Sequence, residues 1–186
     1  MRLHRITLLL ILSFIPMMGY VNVLASQPSE YLLKAVFLEK FTRFIDWPSD
    51  TALDDTTEPF VIGVLGKNPF DVDLSKIYLN QKIKNKQVKI LHALDINEID
   101  DCHLLFICKS ETNRISGILK QLQNQPVLTV CDSEKMSGKG CMINMVISGK
   151  HIRFEIDETA IHKAGFQASY LLLQEAKIIN PYKSIE

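Results

Sequence analysis

The segment HLLFICKSETNRISGILKQLQNQPVLTVC, residues 103–131, has the pattern of a β-α-β unit. Its two mostly apolar runs, HLLFIC at 103–108 and PVLTVC at 126–131, are short, as is typical of buried strands. Between them lie apolar residues at the spacing of a helix that buries one face: Ile115, Ile118, Leu119 and Leu122. Ser110 is expected to cap this helix. Strand, helix and strand in this order predict a parallel pair with a helical crossover.

The same alternation extends to both sides of this unit. In chain order the other predicted elements are a helix over 29–45, a strand at 60–65, a short helix at 74–78, a strand at 87–92, hairpin strands at 142–147 and 151–156, and helices at 158–164 and 167–176. This order predicts an α/β fold: a three-layer sandwich whose mostly parallel sheet has an antiparallel edge hairpin and helices on both faces.

The N-terminus has the features of a secretory signal peptide. Arg2 and Arg5 precede an apolar run from Ile6, and Val23-Leu24-Ala25 offers small residues at the positions that a signal peptidase reads. We therefore expect cleavage of residues 1–25, export to the periplasm, and no membrane insertion of the mature chain. Residues 26–186 are expected to form a single domain, since their number fits one core.

Charge excludes one class of partner. Loss of Arg2 and Arg5 leaves 19 basic and 21 acidic residues, so the mature chain has no basic excess for nucleic acid.

The motifs of the common catalytic sites do not fit. Gly63 and Gly66 are too close for a P-loop, and Ser133 with Lys135 lacks the spacing of the Ser-Lys hydrolases. The mature histidines, His92, His103, His151 and His162, are scattered. We expect no catalytic residues, no cofactor and no metal, and therefore no enzyme.

Trp47, the only tryptophan, follows the first predicted helix. It is either a lid over the end of the core or an anchor for a protein partner, because tryptophan is favoured at binding hot spots.

Six segments in sequence order resemble the YfiR-like family of periplasmic proteins over essentially the whole mature chain. They are KAVFLEKFTRFIDWP (34–48), FVIGVLGKNPF (60–70), CHLLFICKS (102–110), VLTVCDS (127–133), MINMVISGKHIRFEI (142–156) and AGFQASYLLL (164–173). The resemblance implies an α/β sandwich that tends to form homodimers, disulfides tied to folding and redox sensing, and no catalytic residues. Its best-known member represses a membrane-bound diguanylate cyclase by binding that enzyme's periplasmic domain.

The cysteines at 131 and 141 depart from the family, where small residues are more frequent, and we expect Cys131 and Cys141 to be linked. Cys102 and Cys108 lie six residues apart on one strand, about 20 Å, and cannot pair with each other. Crossed pairings remain open, of which Cys108 with Cys131 is the leading one.

The first hypothesis is therefore an exported, non-enzymatic regulator. It would bind the periplasmic domain of an inner-membrane sensor, repress a diguanylate cyclase, and so lower cyclic di-GMP and biofilm formation. The alternative is a periplasmic small-molecule-binding or carrier protein with a cleft at the carboxyl ends of the parallel strands.

Overall fold

The computed structural model describes residues 29–49, 51, 53–99, 101–149 and 151–183. The predicted signal peptide, residues 1–25, lies outside this range. Within it, no helix has both the length and the apolar character to cross a bilayer.

Helices and strands alternate along most of the described chain. The helices are α1 (Glu30–Phe44), α2 (Asp73–Tyr78), α3 (Ile115–Gln121), α4 (Glu158–Lys163) and α5 (Tyr170–Glu175). The strands are β1 (Ile45–Asp46), β2 (Phe60–Leu65), β3 (Val88–Ala93), β4 (Leu104–Ile107), β5 (Leu128–Cys131), β6 (Ile143–Ser148), β7 (His151–Asp157), β8 (Gln167–Ala168) and β9 (Lys177–Ile179).

Seven of these strands form one mixed sheet in the order β3-β2-β4-β5-β6-β7-β9. Neighbouring strands from β3 to β6 are parallel, β6 and β7 form an antiparallel hairpin, and β9 runs parallel to β7. Strands β1 and β8 form a separate antiparallel pair. The predicted α/β sandwich with its mostly parallel sheet is confirmed.

The core lies on both faces of the sheet, because successive side chains of a strand point to opposite sides. Phe60 and Ile62 of β2 belong to the cluster under α1, α2, α4 and α5, whereas Val61 and Leu65 belong to the cluster under α3. Burial on both sides explains why β2 and β4 contain no polar side chain and why Thr129 is the one polar residue of β5.

The C-terminal region differs from its prediction as one helix over 167–176. Residues 167–168 pair with β1, and α5 begins only after Ser169, whose side chain accepts a hydrogen bond from the Leu172 amide. Strand β9, which was not predicted, then adds to β7 outside the hairpin.

Ser110 does not cap α3. Its Oγ accepts a hydrogen bond from the Lys67 amide at 3.0 Å and donates one to Glu111 Oε1 at 2.9 Å. A 3-10 turn at Lys109–Glu111 follows β4, and α3 starts at Ile115. The Ser110 hydroxyl therefore joins two loops instead of starting a helix.

Candidate functional site

A disulfide closes the loop between β5 and β6. Cys131 is the last residue of β5, and its Cα lies 6.5 Å from that of Cys141, to which its sulfur is bonded. Both cysteines are buried, and Met136 from a 3-10 turn in the loop is fully buried beside them. The segment Cys131–Cys141, hereafter the disulfide loop, is therefore anchored to the core by its ends and its centre.

A buried ion pair joins this loop to α1. Lys34 Nζ lies 3.3 Å from Asp132 Oδ2, and both side chains are almost completely buried. The Tyr31 hydroxyl donates to the same oxygen at 2.9 Å. Burial, followed by the charge of Asp132, raises the pKa of Tyr31 and keeps its hydroxyl a donor. Asp132 Oδ1 has no hydrogen-bond partner among the described residues.

A second polar network holds the loop to the hairpin. The Ser133 amide donates to Asn144 Oδ1, and Asn144 donates through Nδ2 to Glu155. Lys177 of β9 donates to Glu155 at 2.8 Å. Burial alone would raise the pKa of Glu155, but hydrogen bonds from Lys177, Ser137 and Asn144 outweigh it and hold that pKa below its ordinary value.

The other two cysteines are free and buried. Burial raises the pKa of Cys102 to about 12. Burial, with the charges of Asp132 and Glu111, raises the pKa of Cys108 to about 12. Since the thiolate is the reactive form, neither thiol is activated as a nucleophile. The crossed pairing of Cys108 with Cys131 is not formed.

Side chains pack closely between the carboxyl ends of β2 and β4. A Cβ added to Gly66, whose φ is +102°, would lie 2.4 Å from Ser110 Oγ and 2.6 Å from Glu111 Oε1. Phe70 and Phe106 pack edge to face beneath, with centroids 4.6 Å apart. Side chains therefore occupy the space between the ends of these two strands.

His103 has a structural role in the described fold. Its Nδ1 accepts a hydrogen bond from the Val61 amide at 3.0 Å, and its ring stacks on Phe60 at 4.8 Å. Burial, followed by the positive charge of Lys86, lowers the pKa of His103 and favours the neutral ring. No three His, Cys, Asp or Glu side chains in the described chain are grouped to hold a metal ion.

Trp47 is partly buried against the core. Its ring makes edge-to-face contacts with Phe60 and Phe166, with centroids 5.8 and 5.4 Å away. Lys84 Nζ lies 5.5 Å from the ring centroid, and the indole N–H points to the His103 carbonyl oxygen at 3.4 Å. These contacts fix the orientation of the ring, and part of it remains accessible.

An apolar groove lies between α1, β7 and α5, with a volume of about 380 Å³. Phe41 and Phe154 form its floor, with centroids 5.2 Å apart in an edge-to-face contact. Phe44 and Leu171 stand at its sides, and Leu171 is 63% exposed. Next to Leu171, Tyr170 is 73% exposed.

Charged side chains surround this groove, namely Lys40, Arg153 and Glu175. Aromatic residues and arginine are enriched where proteins bind one another, and an apolar centre with a polar rim is the usual arrangement. We refer to the groove, its rim and Tyr170 as the α5 groove. The sequence did not predict this groove, because residues 167–176 have the pattern of one longer helix and Trp47 was the only predicted anchor.

Comparison with known proteins gives one family match. A family model described as YfiR/HmsC-like matches residues 31–177. No curated protein matches the chain.

Among solved structures, one described as the ABC domain in complex with L-Trp from Streptococcus pneumonia is similar, with a TM-score of 0.51 and 12% sequence identity. The match covers 76% of this chain and 61% of that chain. At this identity the similarity shows the α/β fold alone.

Proposed function

The chain belongs to the YfiR/HmsC-like family, a regulatory and not a catalytic family, and we propose that it is an exported repressor of a diguanylate cyclase. It binds the periplasmic domain of an inner-membrane sensor protein, lowers cyclic di-GMP and thereby reduces biofilm formation. The mature protein comprises residues 26–186 as one domain and functions without a catalytic step. The same family membership supports a homodimer, which sedimentation of the mature chain tests.

Two features support export. The first 25 residues have the charge, apolar run and cleavage site of a signal peptide. The disulfide between Cys131 and Cys141 suits an oxidising compartment, because such bonds persist in the periplasm and are rare in the cytosol.

The α5 groove is the structural feature that best supports binding to a protein partner. Phe44 and Leu171 are exposed apolar side chains that line one concave surface, and the exposed Tyr170 precedes Leu171 on α5. Exposed apolar side chains around a groove with a polar rim favour a protein partner whose own apolar side chain enters the groove. Trp47 remains a second candidate anchor, since its accessible part is already held in one orientation.

The direct test measures binding of the mature chain to the sensor's purified periplasmic domain. Leu171→Glu places a charge in the groove and should weaken binding by at least about tenfold, a typical effect at an interface hot spot. Leu79→Glu is the matched control, because Leu79 is 75% exposed and lies outside the groove. Its affinity should stay within about twofold of the wild-type value.

The cellular test is the cyclic di-GMP level. Deletion of the gene should raise the cyclic di-GMP level. Expression of the wild-type chain should lower it again, and expression of the Leu171→Glu chain should not. Unchanged cyclic di-GMP after deletion under several stress conditions would refute the proposed repression. Equal binding by the Leu171→Glu and Leu79→Glu chains would refute the α5 groove as the contact surface.

A further inference from the structure

A second cavity lies at the amino ends of β5 and β6, between α3, α4 and the disulfide loop. Its volume is about 580 Å³, within the range of about 300–1,000 Å³ that is common for small-molecule sites. It is at the opposite end of these strands from the expected carboxyl-end cleft. Neither the α5 groove nor the polar cluster around Asp132 contributes to its wall.

Three lysines from separate elements line this cavity. Lys120 comes from α3, Lys139 from the disulfide loop and Lys163 from α4. Among the ion pairs of the described residues, none includes these three lysines. Within the part of the chain that the structure describes, these three lysines therefore line the cavity without a carboxylate partner.

The acidic side chain in the wall, Asp157, does not compensate these charges. Its Oδ1 accepts the Ala160 amide at 2.9 Å, and its Oδ2 accepts Asn180 Nδ2 at 2.8 Å. Both oxygens are thus occupied in capping α4 and holding the segment after β9. Among the described residues, the cavity wall has three lysines and one carboxylate, which is already hydrogen bonded.

The remaining wall combines two other kinds of surface. Val127, Met142 and Leu119 supply apolar contacts, and they are wholly or partly buried. Neutral hydrogen-bonding groups complete the wall: Ser116, Gln123, Asn124 and Thr159. Such a wall offers both apolar contacts and hydrogen bonds to a small organic molecule.

On the side formed by the disulfide loop, the backbone can lie close to a bound ligand. Gly138 and Gly140 have φ of +67° and +94°, a region that favours glycine. A Cβ at Gly138 would meet no atom within 4 Å, so the backbone there faces open space.

We propose that this cavity binds a small organic anion, with a carboxylate or phosphate group held by Lys120, Lys139 and Lys163 and an apolar part against Val127 and Met142. Such a small-molecule ligand would bind at a site separate from that of the protein partner. The site is independent of the repressor function proposed above, because its residues are not those of the α5 groove.

The test uses four probes at low ionic strength: phenyl phosphate, benzoate, benzyl alcohol and inorganic phosphate. The first two combine an anion with an apolar ring, benzyl alcohol keeps the ring without the charge, and inorganic phosphate keeps the charge without the ring. At least one of the two ring-bearing anions should raise the melting temperature and shift the amide resonances of Gly138 and Gly140. Benzyl alcohol and inorganic phosphate should bind more weakly.

The variants Lys120→Gln, Lys139→Gln and Lys163→Gln should each weaken that binding by about two- to fivefold, as expected for loss of one exposed ion pair. Lys135→Gln is the control, because Lys135 is exposed in the same loop but does not line the cavity. Equal affinity in all four variants, or no binding by either ring-bearing anion, would overturn the proposal. Binding of the sensor domain should be unchanged in every lysine variant, which separates this result from the test of the repressor function.

Discussion

The disulfide between Cys131 and Cys141 lowers the conformational entropy of the unfolded chain, and it also closes a loop in the folded protein. The two cysteines are ten residues apart in sequence, and closing a loop of this length stabilises a protein by about 3 kcal/mol in the chain-entropy model. We predict that the Cys131→Ser/Cys141→Ser double variant melts at a lower temperature by a corresponding amount. Thermal denaturation measures this difference.

A reducing agent provides the control for this prediction. Dithiothreitol should lower the melting temperature of the wild-type chain and leave that of the double variant unchanged. In a non-reduced digest, mass spectrometry should recover the two cysteine-containing peptides as one linked species. Recovery of Cys131 and Cys141 as free alkylated thiols from periplasmic material would contradict the bridge.

His103 should make stability depend on pH. Its pKa is lowered by burial and by Lys86, so the unfolded chain, where the pKa is about 6.5, binds the proton more tightly. The stabilising contribution of the neutral ring is therefore complete above about pH 6.5 and is lost as pH falls through the range below it. Protonation of Nδ1 would also remove its hydrogen bond with the Val61 amide.

We predict that the free energy of unfolding of the wild-type chain falls between pH 7.5 and 5.5, and that this fall is smaller in His103→Gln. Urea denaturation across this range measures it. His151→Gln is the matched control, because it removes a histidine whose side chain is exposed. Identical slopes for the His103→Gln and His151→Gln chains would show that His103 is not responsible.

At the scale of elements, α5 depends on its cap. It has only six residues, and the Ser169 side chain accepts the Leu172 amide at 3.3 Å. Short helices have little stability of their own, so the cap and the packing of Leu172 determine whether α5 forms. The position of Leu171 in the α5 groove therefore also depends on Ser169 and Leu172.

We predict that Ser169→Ala destabilises the protein by about 1 kcal/mol, which lowers the melting temperature by about 2–4 °C in a chain of this size. It should also weaken sensor binding, because Leu171 is less well positioned when the first turn frays. Ser169→Asp keeps a capping oxygen and should retain both properties. Loss of stability in the Asp variant equal to that in the Ala variant would exclude capping as the cause.

At the scale of the whole molecule, the two apolar clusters share one sheet. Phe106 of β4 lies in the cluster under α1, while its neighbour Leu105 lies in the cluster under α3. Because adjacent residues of each central strand contribute to opposite clusters, one cluster cannot be lost without exposing the other face of the same strands.

We therefore predict that residues 26–186 unfold as a single cooperative domain. Thermal transitions followed by far-UV circular dichroism and by Trp47 fluorescence should coincide. The calorimetric enthalpy should equal the van't Hoff enthalpy in the same experiment. Two separate transitions, or a fluorescence change well before the loss of secondary structure, would contradict the single domain.

The central strands could be predicted because their signal is local. β2 coincides with the predicted strand at 60–65, and β4 and β5 lie inside the predicted runs, since each is an apolar segment buried on both faces. β8 and β9 could not be predicted this way. They have two and three residues, and they form only because distant β1 and β7 offer partners.

The sequence by itself determined the α/β class, the parallel sheet and the family, because hydrophobic periodicity and ordered motifs are properties of neighbouring residues. It also favoured the Cys131–Cys141 pair, since those cysteines are close along the chain. Only the tertiary structure brought Phe44 beside Leu171 in the α5 groove, and Lys120, Lys139 and Lys163 around one cavity. These residues are separated by helices and strands, and their proximity depends on how the sheet and its helices pack.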